Sequence, residues 1–136
     1  MIVVDTNVIV ALFVNSEASG LAEKAARKDS DWIVPSLWVS EMRNALATMH
    51  RMRRLDIAEG LTAMENAERQ FSARSVRIPS RPVLECAAES GCSTHDCEFV
   101  TLAVLAGARL VTLDKRLAMR FPDVVTPLDR FVGARG

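Results

Sequence analysis

Ile2-Val3-Val4-Asp5-Thr6-Asn7 is the stretch on which the reading of the fold turns. Three apolar β-branched residues without polar alternation match a strand buried on both faces, as in a parallel sheet covered by helices. Asp5-Thr6-Asn7 stops that strand, and Val8 to Val14 then reads as a short buried helix. A carboxylate between a buried strand and a helix has two uses. It can cap the helix, or it can face the crevice outside the carboxyl ends of the strands, where α/β sheets collect ligands.

Outward from this start the same grammar repeats. Trp32-Ile33-Val34 and Arg109-Leu110-Val111-Thr112 read as further short strands, Ser75 to Ile78 as one ending at Pro79, and Val124-Val125 as an edge strand before Pro127. Between them lie helical segments: Glu17 to Lys28, Leu37 to Arg53 with Val39, Met42, Leu46 and Met49 at helical spacing, and Ile57 to Phe71 through Leu61, Met64 and Ala67. A reversal near Leu55-Asp56 makes the last two an antiparallel pair. Ser80-Arg81-Pro82 starts a helix reaching Gly91, Ser93 and Thr94 cap another ending at Gly107, and Asp114 to Arg120 forms a short one. The tail beyond Phe131 reads as frayed. Strands alternating with helices imply an α/β fold with a mostly parallel sheet. No repeat or composition shift divides the chain, so residues 1–136 are expected to form one domain.

Bulk composition bounds the function. The chain has 136 residues, 49% of them hydrophobic and 25% charged, an ordinary globular balance. Seventeen Lys and Arg oppose seventeen Asp and Glu. That zero net charge weighs slightly against a generic nucleic-acid binder, although an enzyme that gathers acids around a metal can still present a basic rim. Cys86, Cys92 and Cys97 are odd in number and confined to one region, which speaks for a reducing compartment rather than a disulfide framework. Cys92-x-x-His95-x-Cys97 lacks a fourth zinc ligand at familiar spacing, and ordinary packing is the preferred reading. The apolar run Met1 to Val14 is too short and too interrupted to span a bilayer. A soluble, cytoplasmic protein is expected.

Four acids fall where the chemistry of such a sheet belongs. Asp5 follows the first strand, Asp114 lies just beyond the Arg109–Thr112 strand, and Asp96 sits in the first turn of the helix leading into it. Glu41 is in the second turn of the helix entered at Pro35. All four therefore project from one rim. Crowded carboxylates repel unless protons or a cation intervene. Mg²⁺ or Mn²⁺ suits oxygen donors, and a phosphodiester is the natural substrate for such a site. Each acid also has a structural alternative. Asp5 and Asp114 can be helix caps, Asp96 the third-position acid of a capping box opened by Ser93, and Glu41 a solvated helix residue. Spacing alone leaves both uses open.

Four segments also resemble, in order, the motifs of the PIN-domain nucleases. They are Ile2-Val3-Val4-Asp5-Thr6-Asn7-Val8, Ser40-Glu41-Met42-Arg43-Asn44-Ala45-Leu46, His95-Asp96-Cys97-Glu98-Phe99-Val100-Thr101-Leu102-Ala103 and Leu110-Val111-Thr112-Leu113-Asp114-Lys115-Arg116-Leu117. The single-domain form is similar to VapC-type toxins of toxin–antitoxin pairs. The resemblance implies a three-layer α/β/α PIN-like fold and an endoribonuclease dependent on Mg²⁺ or Mn²⁺. It also implies a homodimer and inhibition by a cognate antitoxin protein. By position, Asp5, Glu41, Asp96 and Asp114 are the implied catalytic acids, with Asp5, Asp96 and Asp114 the metal ligands. Thr6, Asn7 and Thr112 become supporting polar groups. His95 departs from the pattern, since many relatives carry Tyr there.

Around this core other residues have weaker readings. Glu98 lies two residues past Asp96, about 200° around an ideal helix, and is a peripheral candidate. Arg43 can pair with a site carboxylate or meet a phosphate. Arg51, Arg53 and Arg54 are better read as a solvated helix end than as a phosphate clamp. Trp32 and Trp38 lie in apolar runs and read as packing residues. The apolar stripe of Leu37 to Met49 and its neighbour Leu61 to Met64 read as core and dimer surface, and exposed Met and Leu on that helix pair could also receive an amphipathic antitoxin helix. Two rival functions remain. An aspartyl-nucleophile phosphatase wants a second Asp two residues after Asp5, where Asn7 stands. A non-catalytic PIN-like module binding RNA or protein is the other.

Overall fold

The computed structural model describes residues 1–133. Its chain order is β1 (Ile2–Val4), α1 (Thr6–Phe13), α2 (Ser19–Lys28), β2 (Trp32–Pro35), α3 (Trp38–Arg51), α4 (Ile57–Phe71), β3 (Ser75–Val76), α5 (Ser80–Ser90), α6 (Thr94–Ala106), β4 (Arg109–Thr112), α7 (Lys115–Arg120), β5 (Val125–Pro127) and α8 (Leu128–Gly133). The five strands form one sheet in the order β3-β2-β1-β4-β5, and every pairing is parallel.

Both faces of the sheet are covered, which makes the architecture three-layered. Alternate residues of each strand serve opposite cores. Ile2, Val4, Trp32, Val34 and Val111 pack with α1 to α4 and α8, whereas Val3, Ile33 and Leu110 pack with α6 and α7. This explains the unalternating strands: each side chain is inside, whichever way it points. In the first core, Phe71 stacks on Trp32 at a centroid distance of 5.8 Å and meets Trp38 edge-on at 6.0 Å. The indole N–H groups are satisfied, Trp32 by the Asp29 carbonyl and Trp38 by the Ser75 hydroxyl at 2.8 Å. Both tryptophans are therefore packing residues.

Three local expectations are corrected. The segment from Phe131 is not frayed as far as Gly133, because α8 continues through it and Phe131 and Val132 pack against the core; residues 134–136 lie outside the described residues. The strand expected at Ser75–Ile78 pairs only over Ser75–Val76. Leu61 faces solvent at 59% exposure, because the buried stripe of α4 runs through Gly60, Ala63, Met64, Ala67 and Phe71. Among the described residues no helix is long and apolar enough to cross a membrane.

Candidate active site

Strand order decides where the site can form. From β1 the chain builds outward to β2 and β3 on one side, then returns to place β4 and β5 on the other. The order reverses between β1 and β4, and a crevice opens there outside their carboxyl ends. Asp5 ends β1, while Thr112 ends β4 with Asp114 just beyond it. Helix α6 leads into β4 and so starts at this edge with Asp96 in its first turn, and α3 leaves the same edge after β2 with Glu41 in its first turn. The four acids read from the sequence are thus gathered by topology.

Hydrogen bonds then fix the carboxylates. Asp5 caps α1, its Oδ1 accepting from the Thr6 N–H at 2.8 Å, and its Oδ2 accepts from the Thr112 hydroxyl at 2.7 Å. The Thr112 oxygen in turn accepts from the Asp114 N–H at 3.0 Å and from Asn7 Nδ2 at 3.4 Å. Asn7 Oδ1 takes the Leu113 N–H at 3.1 Å, tying α1 to the loop after β4. The Thr6 hydroxyl donates to Glu41 Oε1 at 2.7 Å. Thr6, Asn7 and Thr112 are therefore orienting groups, each holding an acid or the backbone beside one.

The capping alternatives resolve residue by residue. Asp114 does cap α7, but only through Oδ1, which accepts from the Arg116 and Leu117 N–H groups at 3.0 and 3.2 Å. Its Oδ2 accepts no hydrogen bond among the described residues. For α6 the cap is the Ser93 hydroxyl, which accepts from the Asp96 N–H at 3.1 Å. The reciprocal bond of a capping box, from the Ser93 N–H to the Asp96 carboxylate, is absent among the described residues. Helix capping thus consumes the Asp96 backbone and spares its carboxylate. Capping and a second role are compatible, since each carboxylate offers about four acceptor positions.

Burial first, and neighbouring acids second, raise two of the four carboxyls. Burial pushes the Asp5 carboxyl up to about 6, and the nearby Glu41 and Asp96 charges add to that, against the hydrogen bonds from Thr112 and Thr6. Asp96 is also raised, first by burial and then by the charge of Asp114. None of the four acids forms an ion pair among the described residues. The donor set is all oxygen and makes no ion pair among the described residues, which fits a hard divalent cation such as Mg²⁺. The carboxylates are not drawn together in advance, since no three potential ligand residues among those described stand close enough to enclose an ion.

Other candidates sort themselves. Glu98 is half-buried, and burial raises its carboxyl, with the His95 charge opposing and the Glu41 charge adding. Arg43 is exposed and pairs with no carboxylate among the described residues. Arg51, Arg53 and Arg54 are exposed at the far end of α3, where they build the turn into α4. His95 is exposed, and the three cysteines are free thiols. Cys97 is fully buried, and burial pushes its thiol up to about 12.

Comparison with known proteins identifies the family. Residues 2–121 match the PIN domain family. The chain is 32% identical to Ribonuclease VapC3 of Pyrobaculum aerophilum, over 93% of this chain and 98% of that one. The structure also resembles the crystal structure of another Pyrobaculum aerophilum protein, with a TM-score of 0.77 at 22% identity, covering 97% of this chain and 93% of that chain. That likeness concerns the fold alone. The chain belongs to the PIN-domain family. Its similarity to a VapC ribonuclease along nearly the whole of both chains places it with the VapC-type members.

Proposed function

We propose that the protein is a Mg²⁺-dependent endoribonuclease, with Asp5, Glu41, Asp96 and Asp114 as its catalytic acids. The observation that carries this reading is the position of Asp5. Its desolvated carboxyl lies at the sheet's switch point, raised to about 6 with two further acids nearby and no cationic partner among the described residues. Carboxyls shifted by burial beside other acids cluster at functional sites, which supports this reading. Asp5, Asp96 and Asp114 would hold the ion, with Mn²⁺ as a substitute. When bound, the ion would lower the pKa of a coordinated water and offset charge on the phosphodiester oxygens.

The chain's own groups would do the rest. Thr112 holds Asp5 through Oδ2, so Asp5 would stay in place while Asp96 and Asp114 close on the ion. Thr6 engages Oε1 of Glu41, which leaves Oε2 to orient the attacking water and accept its proton. In-line attack would leave a 5′-phosphate and a 3′-hydroxyl. Residues 1–136 would act as one PIN-like nuclease domain in a homodimer. The biological role we infer is that of a toxin, restrained in the cytoplasm by a cognate antitoxin whose amphipathic helix would cover Ile57 and Leu61, exposed at 46% and 59% on α4. Cleavage of total RNA by pure protein, with Mg²⁺ and with EDTA, tests the activity. The same assay with Asp5→Asn and Asp96→Asn separates it from a non-catalytic module, since a contaminant's cleavage would persist in both variants.

A further inference from the structure

Strand β5 closes one side of the sheet, and its outer edge floors a groove of about 740 Å³. One wall is α7, seated on one face of the sheet through Leu117 and Ala118, and the other is α8, seated on the opposite face through Leu128. The groove starts at Lys115, the residue after Asp114, and at Pro127, which pairs with Thr112. It therefore opens beside the acids and runs back along β5 toward Met119 and Pro122.

A bare sheet edge ordinarily invites another strand, but this one has no ladder to offer. The Val125 N–H donates to the Phe121 carbonyl at 2.8 Å, the Val125 carbonyl accepts from the Arg109 guanidinium at 3.1 Å, and Pro127 has no N–H. Neither Val125 nor Pro127 offers a peptide strand a free N–H among the described residues. The lining provides cationic and apolar surface instead. Lys115 and Arg130 stand on the two walls, with Pro122 and Met119 (81% exposed) between solvent and floor. Of the charged residues, the lining holds Lys115 and Arg130 against Asp129, an excess of one positive charge in a chain whose net charge is zero. The Lys115–Asp129 pair at 3.4 Å is solvent-exposed and yields readily to a stronger anion.

We propose that this groove carries the single-stranded RNA leaving the acidic centre, with Lys115 and Arg130 on its phosphates and Met119 and the prolines under its bases. The inference rests on the ribonuclease reading of the acids. Its logic is charge complementarity. An ion among the acids offsets charge at the scissile phosphate only, so the phosphates beyond it are better held by cations; phosphate contacts fix register while apolar contact with base faces tolerates sequence.

The test uses the full chain carrying Asp5→Asn and a short, unstructured, fluorescent RNA, with binding followed by anisotropy across a salt series. Adding Lys115→Ala and Arg130→Ala should weaken binding about tenfold or more and flatten the dependence of log affinity on log salt by about one to two. Met119→Glu should also weaken it, and Arg27→Ala on α2 should change neither quantity. Equal affinity and slope in the double variant would overturn the groove. So would a dimer that Met119→Glu turns into monomer, because the face would then be a contact between copies. If unsubstituted protein neither binds nor cleaves any RNA with Mg²⁺, the ribonuclease reading itself fails. If it cleaves while the groove variants bind normally, only the groove fails.

Discussion

The Thr112 hydroxyl donates to Asp5 Oδ2 at 2.7 Å across 107 residues of sequence, joining the ends of the two strands between which the sheet reverses its order. The same oxygen accepts the Asp114 N–H, so one side chain sets two of the four acids. Thr112→Val keeps the shape and removes the hydroxyl. A hydrogen bond to a charged group is worth about 1.5–3 kcal/mol. RNA cleavage should fall at least tenfold in this variant, and Thr112→Ser should recover most of it. Equal rates for Val and Ser would show that the hydroxyl has no part in holding Asp5.

Thr6 makes the matching contact to Glu41 and is itself only 6% exposed. Thr6→Val should lower kcat with little change in KM, because it frees the carboxylate without touching the groove. Combined with Glu41→Gln, which removes the acid's charge, it should cost little more than Glu41→Gln alone. Fully additive losses in that double-mutant cycle would mean that the two side chains act independently.

Asp5 also sets a pH dependence of stability. Its carboxyl holds a proton up to about pH 6 in the fold but releases it near 3.8 when unfolded. Between those values the folded chain binds more protons, so stability falls as pH rises. The penalty is absent below 3.8 and complete above 6, where it is on the order of 3 kcal/mol. In EDTA, Asp5→Asn should therefore be inactive yet more stable than the parent at pH 8, with the advantage gone by pH 4. Urea denaturation at both pH values checks this. A variant no more stable at pH 8 than at pH 4, relative to the parent, would contradict a desolvated Asp5.

Much of this was legible in the sequence, and the gaps have physical causes. Arg109–Thr112 was read to the residue, because a buried strand between Gly107 and Asp114 has clear stops at both ends. Ser93 and Gly107 bracketed α6 for the same reason: a side-chain cap and a left-handed C-terminal residue (φ 62°) are local signals. The four acids could be placed at one sheet edge from chain order alone. Their partners could not, since Thr112 meets Asp5, and Thr6 meets Glu41, only once the strands and helices are assembled. Leu61 misled because its spacing fits a helix but not which face the neighbours cover. The groove beside β5 left no sequence signal, because it is built from two short helices on opposite faces of the sheet.

The basic turn gives a control. Arg53 has φ 58°, the left-handed region that a side chain disfavours by roughly 1–2 kcal/mol. Arg53→Gly relieves that strain and removes one charge of the Arg51–Arg54 cluster. Because the cluster lies at the opposite end of α3 from Glu41, the variant should cleave RNA at the parental rate and melt no lower. A large rise in KM would return these arginines to the substrate path.

The most direct test of the central claim is cleavage of single-stranded RNA by pure protein as Mg²⁺ is removed and restored, run beside Asp5→Asn and Asp96→Asn. The account predicts cleavage that stops in EDTA, returns with Mg²⁺, leaves 5′-phosphate ends, and is lost in both variants while they stay folded. Cleavage that continues in EDTA, or survives in either folded variant, would contradict it.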